Sequence, residues 1–152
     1  MSIEQNTREI KFRYIFRDKY DHSNVRIVHI SMDELELIIA TSSDQDIPEI
    51  NKSRKYFDNR LIWEAIGRDL YTGLKDKNGV EIWESDILRN TQERSLVLVR
   101  WELTGARWSF DEYGGFDDGV GRGNWDLNMG FAKQSEVIGN IYENSDLLER
   151  NA

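Results

Sequence analysis

Cysteine is absent from this chain of 152 residues, which removes disulfide staples, thiolate metal sites, thiol nucleophiles and thiol redox switches together. Histidine is scarce: His22 and His29 are the two neutral-pH bases on offer. His22 sits in turn-like sequence and His29 in strand-like sequence. No serine-nucleophile motif exists elsewhere for either to serve, so both read as structural or surface residues. Proline occurs once, as Pro48. No apolar run approaches the roughly 20 residues that cross a bilayer, and the polar start Met1 to Arg8 lacks the apolar core of a signal peptide, so a cytoplasmic protein with no membrane association is expected. Positive charge is also in short supply. Lys and Arg number 20 against 28 Asp and Glu, a net charge of -8. A surface of that sign repels phosphate backbones as a whole, so nucleic acid is possible as a partner but disfavoured. The basic residues (Lys11, Arg13, Arg17 and Lys19; Lys52, Arg54 and Lys55; Lys75 and Lys77) are scattered among acids.

What is present is enough apolar and aromatic material for one folded domain over 1–152, with five Trp, six Tyr and six Phe available for a core. Arg8 to Phe16 alternates, Ile10, Phe12 and Tyr14 on one face and Glu9, Lys11 and Arg13 on the other, which predicts a half-buried strand. Turn residues follow to Asn24, then the β-branched run Val25 to Ile30, so an antiparallel hairpin is expected. Ser31 is placed to cap a helix beginning at Met32, yet Leu35, Leu37, Ile38 and Ile39 suit a strand as well, and the segment stays open. Residues 41–60 read as a polar loop or insertion. Leu61 to Ile66, ending at Gly67, is again ambiguous. Asn78-Gly79 predicts a type I′ hairpin turn with positive φ at both residues. Ile82-Trp83, Ile87-Leu88, Leu96 to Leu103, Trp108 to Phe110 and Glu136 to Tyr142 read as strands. Residues 111–130 form a Gly/Asp-rich loop with room for short strands, and Asn144 or Ser145 can cap a short closing helix over Asp146 to Arg150. Short strands and frequent turns imply a mainly β fold of antiparallel strands in a small barrel or sandwich.

The constellations that carry chemistry are thin. Asp76, Asn78 and Glu81 resemble part of a calcium loop, but the full ligand spacing is missing and a turn uses the same residues. Asp111, Glu112, Asp117, Asp118 and Asp126 are oxygen ligands that a hard cation accepts, and also what a solvated acidic loop looks like; no metal and no cofactor is assigned. Gly119-Val-Gly121-Arg-Gly123 lacks the terminal lysine of a P-loop and the spacing of a dinucleotide fingerprint. Trp63, Trp83, Trp101, Trp108 and Trp125 offer stacking faces for bases, though core packing is the commoner use.

Three segments resemble the YopX family of bacteriophage and prophage proteins. They are Arg8-Glu-Ile-Lys-Phe-Arg13, then Tyr71-Thr-Gly-Leu-Lys-Asp-Lys-Asn-Gly-Val-Glu-Ile-Trp-Glu-Ser-Asp-Ile87, then Glu136-Val-Ile-Gly-Asn-Ile-Tyr-Glu-Asn144 with Leu147 and Leu148. Ser85 departs from the glycine usual there and Ser145 from a frequent proline; a serine at the first speaks against positive φ. The resemblance implies a mainly β fold with a barrel-like core, a phage setting and a bacterial host, and it brings no catalytic residues. Within the shared hairpin, Tyr71, Lys75, Asp76, Glu84 and Asp86 are the expected recognition surface. The leading expectation is a nonenzymatic accessory protein that binds a protein partner, with self-association possible. Two alternatives stand beside it: a nucleic-acid-binding module using Trp faces and the strip Lys11, Arg13, Arg17 and Lys19, and a divalent-metal hydrolase using the carboxylates of 111–126.

Overall fold

The computed structural model describes residues 9–40, 56, 58–92, 95–113 and 124–150. It is mainly β and antiparallel, as the alternating segments require. Its contacts gather into two compact units, residues 1–73 and 74–152. The expected loop at 41–60 and the middle of the loop at 111–130 fall largely outside the described residues.

In the first unit, β1 (Lys11–Asp18) pairs with β2 (Val25–Ser31) in the expected hairpin, and with β3 (Trp63–Lys75) on its other side. The ambiguous segment after Leu61 is thus a strand, and it runs through Gly67. The capping question at Ser31 is also resolved. Ser31 and Glu34 form a reciprocal box, Glu34 N–H donating to Ser31 Oγ at 3.2 Å and Ser31 N–H to Glu34 Oε2 at 2.8 Å. Two orphan donors at the helix start are satisfied at once, and α1 spans Met32–Ala40. Burial along β1 is not confined to the expected face, on which Phe16 is buried and Phe12 and Tyr14 are half-buried. Ile10 is 48% exposed, while Arg13 and Ile15 on the opposite face are buried. Arg13 tolerates burial because Asp69 stands directly opposite on β3 and accepts from its Nε at 3.0 Å. The pattern gave weight to Ile10 as apolar and Arg13 as charged; the pairing partner reversed their places.

The second unit holds β5 (Asp86–Asn90), β6 (Leu96–Glu102), β7 (Arg107–Tyr113), β8 (Asn124–Asp126) and β9 (Ser135–Asn140), in the order β8-β7-β6-β5-β9. Both faces of this sheet are covered. Leu88, Val97, Val99 and Phe110 pack with Ile82, Leu127 and Ala132 on one side; Ile87 and Leu96 pack with Leu148 on the other. That double burial explains why Leu96 to Val99 is continuously apolar instead of alternating. Ala132 belongs to α2 (Met129–Lys133), capped by Asn128, whose Oδ1 accepts from Phe131 N–H. This helix was not foreseen within the glycine-rich stretch. Leu148 lies in α3 (Asp146–Glu149), the expected closing helix. The other sheet has the order β2-β1-β3-β4, with β4 (Glu81–Trp83) joining through the hairpin after β3. Neither sheet closes on itself, so the strands build open sheets and not a barrel.

Two turns differ in kind from expectation. The β3–β4 turn closes with Gly79 N–H donating to Asp76 O and Asp76 N–H to Val80 O, and Gly79 alone has positive φ, +82°. This is a three-residue loop with a left-handed glycine, not the type I′ pair that Asn78-Gly79 promised. At the β4–β5 turn Ser85 adopts φ 66° although it carries a Cβ. Its N–H donates to Val99 O and its carbonyl accepts from Ile141 N–H, and these two bonds hold it there. Ser85→Gly should therefore stabilise the protein by about 1 kcal/mol, read as a higher urea midpoint, because left-handed backbone costs a residue with a Cβ about that much. A lower midpoint would show that the serine side chain holds the turn.

Candidate functional site

The five residues expected to form a recognition surface serve different ends. Tyr71, in the first unit, is 7% exposed and lies beneath Lys11, whose Nζ stands 5.3 Å from its ring centre. The other four lie in the second unit. Asp76 is buried, its Oδ1 accepting from Asn78 N–H and Val80 N–H and its Oδ2 from Val137 N–H. Asp86, also buried, accepts from Trp83 N–H at 2.8 Å. Lys75 is exposed and Glu84 half-buried. Both aspartates organise turns, which leaves Lys75 as the member of the set most open to a partner.

The basic strip on β1 is largely neutralised. Lys11 pairs with Glu9 at 3.1 Å, Arg13 with Asp69, and Arg17 with Glu64 at 3.1 Å. Two acids of the 111–126 region are likewise engaged: Arg100 Nη1 reaches Asp111 at 2.5 Å, and Arg107 holds Asp126 together with Glu102. Side-chain hydrogen bonding to Glu102 raises the Arg107 pKa above its ordinary value. Among the described residues no three His, Asp or Glu side chains converge as metal ligands; Asp117 and Asp118 lie outside them.

A different place in the first unit brings chemistry together. Near the start of β3 a cleft of about 400 Å³ opens, lined by Phe16, Lys19, Tyr56, Arg60, Trp63 and Glu64. Phe16 forms the floor, and Tyr56 stacks on it at 5.4 Å with 20° between the planes. Trp63 meets Tyr56 edge-on at 5.0 Å and 74°. Both upper rings stay half-buried, so aromatic surface remains open. Lys19 Nζ donates to the Arg60 carbonyl at 2.6 Å, which brings its ammonium to the residue that carries the Arg60 guanidinium. Arg60 is exposed and has no acidic partner among the described residues.

Three rings and a carboxylate also describe a cage for a quaternary ammonium, so charge has to decide. Glu64 is already matched by Arg17, while Lys19 and Arg60 have no acid among the described residues, and the balance of the residues that line the cleft is cationic. The arrangement suits a planar or aromatic group carrying negative charge. Trp63 was weighed as a stacking face in the sequence; Tyr56, Lys19 and Arg60 were not linked to it, because a polar stretch separates β1 from β3 and only strand pairing joins them.

Fold and site together define a mainly β, antiparallel protein with an open aromatic cleft. It belongs to the YopX family: the model of the family described as YopX protein matches residues 11–149. A solved structure, that of protein EF1440 from Enterococcus faecalis, is 21% identical, with 93% of this chain and 99% of that chain covered and a TM-score of 0.44. No curated protein matches the chain. Among the described residues no helix is long and apolar enough to cross a membrane.

Proposed function

We propose that this chain is a nonenzymatic binding module of a phage or prophage, acting in the cytoplasm of the bacterial host, whose partner seats in the cleft of the first unit. One observation supports this above the rest: half-buried Tyr56 and Trp63 stand beside two cations, Lys19 and Arg60, that no acid among the described residues matches. Among the carboxylates weighed as metal ligands, Asp111 and Asp126 are paired with guanidinium groups and Asp76 accepts backbone N–H groups. The test is affinity capture from host lysate after phage induction, with and without nuclease, comparing wild type with Trp63→Ala/Arg60→Glu. Material held by wild type and lost with the double variant supports the reading; equal retention places the partner on another surface.

A protein partner at the β3–β4 hairpin is the second reading, and the exposure of Lys75 favours it. Nuclease-resistant capture lost with Lys75→Glu and kept with the cleft variant would establish it.

A further inference from the structure

We infer that the occupant of the cleft is a single-stranded nucleic acid, which continues from Trp63 across the neighbouring face of β1, β2 and β3; this rests on the cleft being the binding site. Strand register supplies the path. Asp18 lies opposite Trp63; the next row places Arg26, Phe16 and Ala65 side by side, and the row after it Val28, Tyr14 and Arg68. Residues directly opposite in paired strands share a face, and successive rows on that face are about 7 Å apart. Tyr14 continues the ring series, 6.3 Å from Phe16 with 21° between planes.

The cations fall along the same rows. Arg26 and Arg68 are exposed, and neither pairs with an acid among the described residues. Arg26 Nη1 donates to the neighbouring Val25 carbonyl. With Lys19 and Arg60 at the cleft, four cations without acidic partners among the described residues border one ring-bearing face of a protein whose net charge is -8. The carboxylate in the first row, Asp18, faces its own turn: it accepts from Tyr20 N–H, Asp21 N–H and Asn24 Nδ2, and the Tyr20 bond above all holds its pKa below the ordinary aspartate value.

Charge and ring geometry together select the partner class. An acidic peptide would satisfy the arginines but leave the rings without a planar partner; a duplex hides the faces of its bases. An unpaired strand offers both, phosphates at regular intervals for the guanidinium groups and bases for stacking. The overall negative charge then confines binding to this face and makes it sensitive to salt.

The test uses the full chain and fluorescence anisotropy with labelled oligo-dT and oligo-rU of about a dozen nucleotides, titrated over a range of salt. Binding should weaken with a slope of log affinity against log salt of about -3 if all four cations meet phosphates, and Arg26→Ala/Arg68→Ala should reduce that slope by about half. Trp63→Ala should weaken binding about tenfold or more, while Trp63→Phe, which keeps a ring and controls for folding, retains most of it. Duplex bound as well as single strand would overturn the inference. So would a mononucleotide bound as tightly as the oligomer with Arg26 and Arg68 indifferent, an outcome that leaves the cleft reading standing. No binding of any of these probes, combined with cleft-dependent capture of a nuclease-resistant protein, would replace the nucleic acid by an acidic polypeptide.

Discussion

Arg13→Ala is expected to cost about 3–5 kcal/mol of stability, because it takes the paired guanidinium away from the buried Asp69 carboxylate. The two side chains are 5% and 4% exposed and joined at 3.0 Å. Taking both charges out of water is itself expensive, so the pair as a whole contributes far less than breaking it costs. Arg13→Met/Asp69→Leu should accordingly recover most of what either single change loses. Urea unfolding of the wild type, Arg13→Met, Asp69→Leu and the double variant forms a complete cycle. Losses that simply add would show that the two groups are not coupled, and the account of the buried pair would fail.

The second large effect is expected at Asp76. Its carboxylate accepts three backbone N–H bonds, two within its own turn at 2.8 and 2.9 Å and one from Val137 at 2.9 Å. Removing it with Asp76→Ala leaves the Val137 donor without its acceptor and removes one of the ties between the turn and β9, for an expected loss of about 3 kcal/mol. Water can replace part of that loss at Asn78 and Val80, which are exposed. Asp76→Asn, which keeps one accepting oxygen, should cost about half as much. Hydrogen exchange gives the sharper reading: the Val137 amide should lose protection in both variants. Protection unchanged in Asp76→Ala would mean that the side chain is not what closes this edge of the sheet. The same contact has a topological consequence, since Lys77 N–H also donates to Ser135 O. The turn thereby covers one end of an edge strand that would otherwise offer bare backbone to another chain.

Much of the fold was legible because it rests on local chemistry. The first hairpin follows from alternation, β6 and β7 from β-branched and aromatic runs around Thr104-Gly105, and the start of α1 from Ser31 and Glu34 three residues apart. The segment from Glu136 to Asn144 shows why its residue types are tied together. A Cβ on Gly139 would stand 2.3 Å from Asn144 Oδ1, and that oxygen accepts the Asn140 N–H. Ser85 was misread, because a propensity against positive φ is worth about 1 kcal/mol and two backbone hydrogen bonds outweigh it. α2 was missed because its five residues, Met129–Lys133, carry too short a pattern for helical periodicity to register.

The candidate site divides along the same line. By itself the sequence determined the mainly β character, the lack of thiol chemistry, the acidity and the set of turn residues, all of which depend on composition or on neighbours a few positions apart. It could not determine which charges are free. Arg13 and Arg68 look alike as letters, yet strand pairing sets one against Asp69 and buries both, while the other stays exposed on the face that carries Tyr14. Tertiary structure alone decided that Trp63, Tyr56 and Phe16 share a cleft with Lys19 and Arg60, because a cleft is made by register between distant strands, and the energy of a charge depends on what the fold sets beside it.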